Sequence, residues 1–282
     1  MTRVQRSGNL DRPTVSGFGA EWAAFDQSLL PPDDLKDQFG DYFGIFPFET
    51  LPAEAEGFDL GCGSGRWASQ VAPRVGLLHC IDPAEEALAV AQRQLALFDN
   101  ARFHLASVDS IPLPDESQDF GYCLGVLHHV PDTAAGMRDA VRKLKKGAPF
   151  LVYIYYALDD RPIWFRALWR TSNAGRKLIS RLPFVAKKAV SELIAAGVYW
   201  PLARGAALFE RWGANVHNWP LNWYRHGSYY RMRTDALDRF GTRLEQRFTR
   251  QEIEQMMRSA GLDGIRFSER APFWVACGRR FA

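Results

Sequence analysis

The sequence predicts an α/β chain: a doubly wound sheet, mostly parallel, with an antiparallel last strand and a helical insertion after the fifth strand. Three observations carry this. Short apolar runs alternate with helical patterns from residue 57 to residue 156. The runs are apolar on both faces, as strands covered by helices on both sides must be. The first run leads straight into Gly61-Cys62-Gly63-Ser64-Gly65, a strand, a tight turn and a helix start. Glycine is needed where the backbone takes φ > 0 or where a ligand touches the main chain, so three in five residues imply a ligand against this turn.

The elements follow in order. Residues 1–15 are polar, lack the apolar stretch of a secretory leader, and are expected to fray. Phe18, Trp22 and Phe25 recur at helical spacing and read as an amphipathic segment packed over the core, with Trp22 counted among the ligand contacts. Pro31-Pro32-Asp33-Asp34 opens a helix that should end before Pro47. Strands are expected at 57–60, 75–81, 103–106, 120–126 and 148–156. Helices at 65–73, 83–97 and 131–146 alternate with them. Residues 159–248 break the alternation and are helical, aromatic and basic. Thr249-Arg250-Gln251-Glu252 has the capping-box pattern of a new helix ending at Gly261. Residues 265–268 and 273–278 close the sheet as a hairpin. The organisation is therefore a 1–50 N-terminal helical segment, a 51–158 core, a 159–248 insertion and a 249–282 C-terminal part that completes the core.

Composition narrows the function. The apolar fraction of 47% supports a packed core, and a net charge of +3 is too small to argue for nucleic acid. Cys62, Cys80, Cys123 and Cys277 are scattered without metal spacing, so no metal site is expected. No stretch reaches the length of a spanning helix. A reduced, cytoplasmic setting is the expectation, and the oligomeric state stays open.

Open α/β sheets bind ligands beyond the carboxyl ends of their strands. The residues ending each strand are therefore the candidates. After strand 1 come Asp59, Gly61 and Gly63. The spacing departs from G-x-G-x-x-G because Arg66 stands at its third glycine, and no Lys-Ser/Thr follows as a P-loop requires. After strand 2 comes Asp82, 21 positions beyond Gly61. An acid there accepts hydrogen bonds from both hydroxyls of a ribose, or caps the next helix. After strand 3 come Ser107, Val108 and Asp109; after strand 4 come Leu124 and the pair His128-His129.

These four ends together resemble the class I S-adenosylmethionine (SAM)-dependent methyltransferases of the small-molecule, ubiquinone/menaquinone-type group, which are Rossmann-like. Phe58–Ala68 resembles their motif I, Cys80–Leu88 their ribose-binding strand end, and Ser110–Asp132 their LPFPDxSFD…LHHVxD stretch. The resemblance covers residues 57–158 and implies SAM as cofactor. It places the methionine part near Gly61, Gly63 and Leu124, the ribose on Asp82, and the adenine on Ser107 and Val108. Ser107 replaces the usual acid, so Asp109 or Ser107 takes the adenine amine. His129 matches a position the group fills with His. His129, His128 or neither acts as a general base, and Tyr224 in the insertion joins them as a catalytic candidate. The reaction implied is methyl transfer to an O or N atom of a small organic acceptor. The alternatives are C-methylation of a lipophilic, quinone-like or lipid-linked acceptor at a membrane surface, and a SAM-binding protein without catalysis.

The insertion carries the remaining signals. Tyr224, Arg225, Tyr229, Tyr230 and Arg233 suit a polar or anionic acceptor, since Arg pairs bidentately with carboxylate or phosphate. Residues 161–212 interleave ten Lys or Arg, among them Arg176, Lys177, Arg181, Lys187 and Lys188, with Trp and Leu, against two acids, Glu192 and Glu210. That pattern describes either a lid over the active site or a helix lying on an anionic membrane as a peripheral contact.

Overall fold

The structure, a computed structural model, describes residues 8–158 and 161–281. The N-terminal fraying and leader readings fall partly on residues 1–7, outside the described ones. The chain forms two compact units. The first takes residues up to 23, 39–157 and from 244 on; the second takes 24–38 and 158–243.

The first unit is built on a seven-stranded sheet. Helix α1 (Arg12–Ala24) and the end of α2 (Pro32–Phe43), from Phe39 on, are followed by β1 (Glu56–Leu60), α3 (Ala68–Val71), β2 (Leu77–Asp82) and α4 (Glu85–Gln94). Then come β3 (Ala101–Leu105), β4 (Phe120–Leu124), α5 (Thr133–Lys143) and β5 (Pro149–Tyr153). A helix at Arg250–Ser259, β6 (Leu262–Phe267) and β7 (Val275–Arg280) finish the unit. The strand order is β3-β2-β1-β4-β5-β7-β6. Strands β1 to β5 pair in parallel, and β7 runs antiparallel between β5 and β6. The central strands are buried throughout: every residue of β4 is buried, as is all of β1 after Glu56. Two glycines allow this. A Cβ on Gly57 would lie 2.4 Å from the Phe120 ring, and one on Gly121 would lie 2.4 Å from the Phe58 ring. Each aromatic ring thus covers a bare backbone position on the neighbouring strand.

Several boundaries differ from the sequence reading. The helix expected at 65–73 is α-helical only over Ala68–Val71 and tightens to a 3₁₀ turn at Ala72–Arg74, where Pro73 lacks an N–H. So short a helix offers little dipole to an anion. Strand β4 stops at Leu124 because Gly125 turns the chain with φ +81. The capping box at Thr249 is formed: Glu252 N–H donates to Thr249 Oγ1 at 3.2 Å and Thr249 N–H to Glu252 Oε2 at 2.7 Å.

The second unit is helical: α6 (Ile163–Ile179), α7 (Phe184–Ile194), a π-helical stretch (Ala195–Tyr199), α8 (Trp200–Arg211) and α9 (Tyr229–Gly241). Ala195, Tyr199, Ala203, Met232, Ala236 and Phe240 form its core. Residues 24–38, read from sequence as part of one N-terminal segment, group with this unit. The reason is visible in contacts. Ser228 N–H donates to Asp34 Oδ2 at 2.8 Å, Gln27 N–H donates to the Tyr230 hydroxyl at 3.1 Å, and Phe25 meets Tyr230 edge to face at 6.0 Å.

Candidate active site

A cavity of about 890 Å³, counting its open mouth, lies at the carboxyl ends of the strands of the first unit. Its floor is the turn after β1. Gly61 has φ +78, and a Cβ there would meet Val126 at 2.2 Å; Gly63 has φ +54, with a Cβ 3.0 Å from Trp22 Nε1. Only glycine fits both positions. The turn is tied to β2, because Gly61 N–H and Cys62 N–H both donate to Ile81 O, at 2.7 and 3.1 Å.

Asp82, which ends β2, is buried and lines the cavity. Its Oδ2 accepts Gly63 N–H and its Oδ1 accepts Ala84 N–H, both at 2.9 Å. It therefore both braces the glycine turn and caps the following chain. Burial pushes its carboxyl up to about 6, against the pull of the two backbone N–H groups. A carboxylate has about four acceptor sites, so two remain for ribose hydroxyls.

Asp59 lies elsewhere. It does not line the cavity, and its carboxyl is buried in the core beside the Tyr122 phenol without closing a well-aligned hydrogen bond. Burial pushes it up to about 8, the Tyr122 contact works the other way, and the Asp82 charge adds to the rise. Asp59 is thus a neutral acid at pH 7, beneath the site and not in it.

On the β3 side, Ser107 and Val108 line the cavity and Asp109 does not. Asp109 takes a hydrogen bond from the Ser107 hydroxyl and another, at 2.6 Å, from Asn9 N–H. Burial opposes its ionisation, but these bonds outweigh it and lower its pKa. Ser107 is held, and Asp109 is spent on holding it. Asn9 and the first turns of α1 complete the wall with Asp11, Thr14, Val15, Phe18 and Trp22. Of these, sequence reasoning named only Trp22 as a contact. The N-cap signal was present, since Asp11 Oδ2 accepts Thr14 N–H at 3.0 Å.

Leu124, Gly125, Val126, His129 and Val130 form the β4 side. The two histidines part company here. His128 is fully buried, stacks on Tyr155 with ring centroids 3.8 Å apart, and does not line the cavity. Burial, then the neighbouring His129 and Arg247, hold its pKa well below the usual range, so it is a neutral packing residue. His129 lines the cavity 5.0 Å from the Phe18 ring. Its Nδ1 lies 2.6 Å from Leu244 O. A carbonyl can only accept, so Nδ1 carries a proton, and in the neutral tautomer the lone pair is on Nε2.

Tyr224 belongs to the second unit, where it packs 5.4 Å from Tyr199. Burial, then Asp235 and Tyr199, push its hydroxyl well above 10. The cations expected there for an anionic acceptor are already engaged. Arg225 pairs with Glu210 at 2.9 Å, and Arg233 Nε with Glu192 at 2.7 Å. Sequence reasoning passed over Arg231. It is 6% exposed, its guanidinium lies 3.7 Å from the Trp223 ring centroid, and its Nε and Nη2 have no hydrogen-bond partner among the described residues. Its spacing of three and six from buried Thr234 and Leu237 was the available signal.

Residues 58–152 match the family described as a methyltransferase domain. The chain is 33% identical over 110 residues to an uncharacterized methyltransferase, YcgJ, of Bacillus subtilis, covering 38% of this chain and 44% of that one. It is 27% identical over 165 residues to a ubiquinone biosynthesis O-methyltransferase of Hydrogenovibrio crunogenus, covering 58% and 66%. The chain thus spans under two thirds of the length of each relative. The solved apo structure of the S-adenosylmethionine-dependent methyltransferase SibL shares the fold, with a TM-score of 0.50 at 15% identity over 88% of this chain and 55% of that one. Among the described residues there is no cluster of His, Cys, Asp or Glu able to hold a metal ion.

Proposed function

We propose, from the premise that residues 58–152 are a class I SAM-dependent methyltransferase domain, that this protein methylates a hydroxyl oxygen of a small organic acceptor, with His129 as general base. The observation that carries the reading is the Nδ1–H bond from His129 to Leu244 O, which leaves Nε2 as the basic nitrogen of a cavity-lining imidazole.

The residues present fit the cofactor. The cavity opens at the strand ends, the glycine turn leaves no room for a Cβ at Gly61, and Asp82 retains acceptor capacity. Asp82 would hold the ribose, Ser107 and Val108 would border the adenine, and Gly61, Gly63 and Leu124 the methionine part. When bound, SAM supplies an electrophilic methyl group on a sulfonium, with the leaving group already in place.

The chain itself then has three tasks. It must orient the acceptor in line with the methyl, exclude water, and take the hydroxyl proton. Phe18, Trp22 and Val126 supply apolar walls. His129 Nε2 would take the proton, and Leu244 O would steady the Nδ1–H, which gains charge as it does so. A hydroxyl needs this base, whereas an amine arrives with its own lone pair.

The test is His129→Gln, assayed by release of S-adenosylhomocysteine from a panel of phenolic and aliphatic hydroxyl acceptors. The expected loss in kcat is about 10²–10⁴, with SAM affinity unchanged. A loss under about fivefold would remove the base and move the acceptor atom to nitrogen or carbon.

A further inference from the structure

Helices α6 and α7 turn cations inward beside partly buried Phe165, Trp169, Ile179 and Ile194. The side chain that α6 buries is Arg176, and α7 buries Lys187 and Ser191. Arg176 Nη1 donates to Thr242 O at 2.7 Å and Lys187 Nζ to Gly241 O at 3.1 Å. Both cations therefore cap the carbonyl end of α9, where the helix dipole favours positive charge. This corrects the expectation that Arg176 and Lys187 belong to an exposed basic face.

The outward faces carry exposed apolar side chains among exposed cations. Ile163 is 84% exposed, Val185 80%, Leu193 72% and Leu178 69%. Val185, Ala189 and Leu193, each four residues apart, form an exposed stripe on α7 without a charge. The stripe continues through Ala196, Val198 and Trp200. Of the sixteen large apolar residues exposed among the described residues, twelve fall within 163–212. A soluble surface does not concentrate apolar area this way unless something covers it.

The charges around the stripe indicate what covers it. Arg166, Arg170, Lys177, Arg181 and Arg211 are exposed. The two acids of the segment, Glu192 and Glu210, are both in ion pairs. No exposed carboxylate interrupts residues 161–215. Within this segment the exposed apolar side chains thus have cations for charged neighbours in sequence. A second copy of the chain would bring like charges together. An anionic bilayer answers both features, taking the apolar side chains at the acyl boundary and the cations at the headgroups. Among the described residues no helix is long and apolar enough to cross a membrane, so the contact is a docking one.

We propose that the α6–α8 face docks this protein on an anionic lipid bilayer. The experiment is co-sedimentation of the full chain with vesicles of phosphatidylcholine containing phosphatidylglycerol, against phosphatidylcholine alone. At low salt the protein should pellet with the anionic vesicles only, and binding should fall as salt screens the headgroups. Each Gln replacing Arg166, Arg170, Lys177, Arg181 or Arg211 should lower partitioning about five-fold. Val185→Asp and Leu193→Asp should also lower it, with helicity by circular dichroism and SAM affinity unchanged. Protein left in the supernatant at low salt would overturn the proposal. So would equal binding to both vesicle types, or a lipid-free dimer by light scattering that Leu193→Asp dissolves.

Discussion

With Asp82 holding the ribose as proposed, the affinity for SAM should depend on pH in a way that can be worked out beforehand. Its carboxyl sits at about 6 because burial disfavours the charge more than the Gly63 and Ala84 N–H groups favour it. Only the ionised form can accept from both ribose hydroxyls while keeping both backbone bonds. With a pKa of about 6, roughly ten carboxyls in eleven are protonated at pH 5 and only about one in thirty at pH 7.5. SAM should therefore bind about tenfold more weakly at pH 5 than at pH 7.5, a difference of about 1.4 kcal/mol. Asp82→Asn should flatten the profile and weaken binding at pH 7.5 by about 1.5–3 kcal/mol, since an amide offers one acceptor oxygen and turns its NH₂ toward a backbone donor. Titration calorimetry with SAM across this range reads both effects, and a thermal scan without ligand separates lost binding from lost folding. A flat wild-type profile in folded protein, or wild-type affinity in Asp82→Asn, would refute the reasoning.

Two further predictions concern stability. Asp59 has a folded pKa of about 8, above its unfolded value, so the native state holds a proton that the unfolded state has released between about pH 4 and 8. Stability should fall across that window as pH rises, by up to about 1.4 kcal/mol per pH unit, and Asp59→Asn should reduce the slope of urea midpoints with pH; parallel slopes would place the carboxyl in water. Arg231 is a buried cation without a hydrogen-bonded anion among the described residues. Arg231→Met should raise the thermal midpoint by a few degrees, about 1 kcal/mol or more net of the lost Trp223 contact, whereas a fall of that size would make the guanidinium a structural anchor.

The parts of the site that were legible in the sequence are those the backbone dictates. Gly61 and Gly63 could be placed because only glycine tolerates their φ angles and the close approach of Val126 and Trp22. Asp82 could be placed because it ends an apolar run at the carboxyl edge of a parallel sheet. What could not be read depends on partners far away in the chain. His128 and His129 are adjacent and identical in type, yet one stacks on Tyr155 in the core and the other borders the cavity. The choice between them, and the tautomer of His129, is made by Leu244, 115 positions on. Asp59 reads as a ligand residue beside the glycines. Strand alternation turns its side chain into the core, and burial then keeps it neutral.

The basic insertion shows the same limit more sharply. Amphipathic spacing reports that a helix has two faces, but it does not report which face is inside. In α6 and α7 two cations turn inward because the carbonyls ending α9 need donors, and Arg176 and Lys187 reach them from 66 and 54 positions away. The outward face of α7 carries the exposed stripe Val185, Ala189 and Leu193. Its cost in water is about 25 cal/mol for each Å² of apolar area. A surface of this kind calls for an environment that covers it, which is what the vesicle experiment tests.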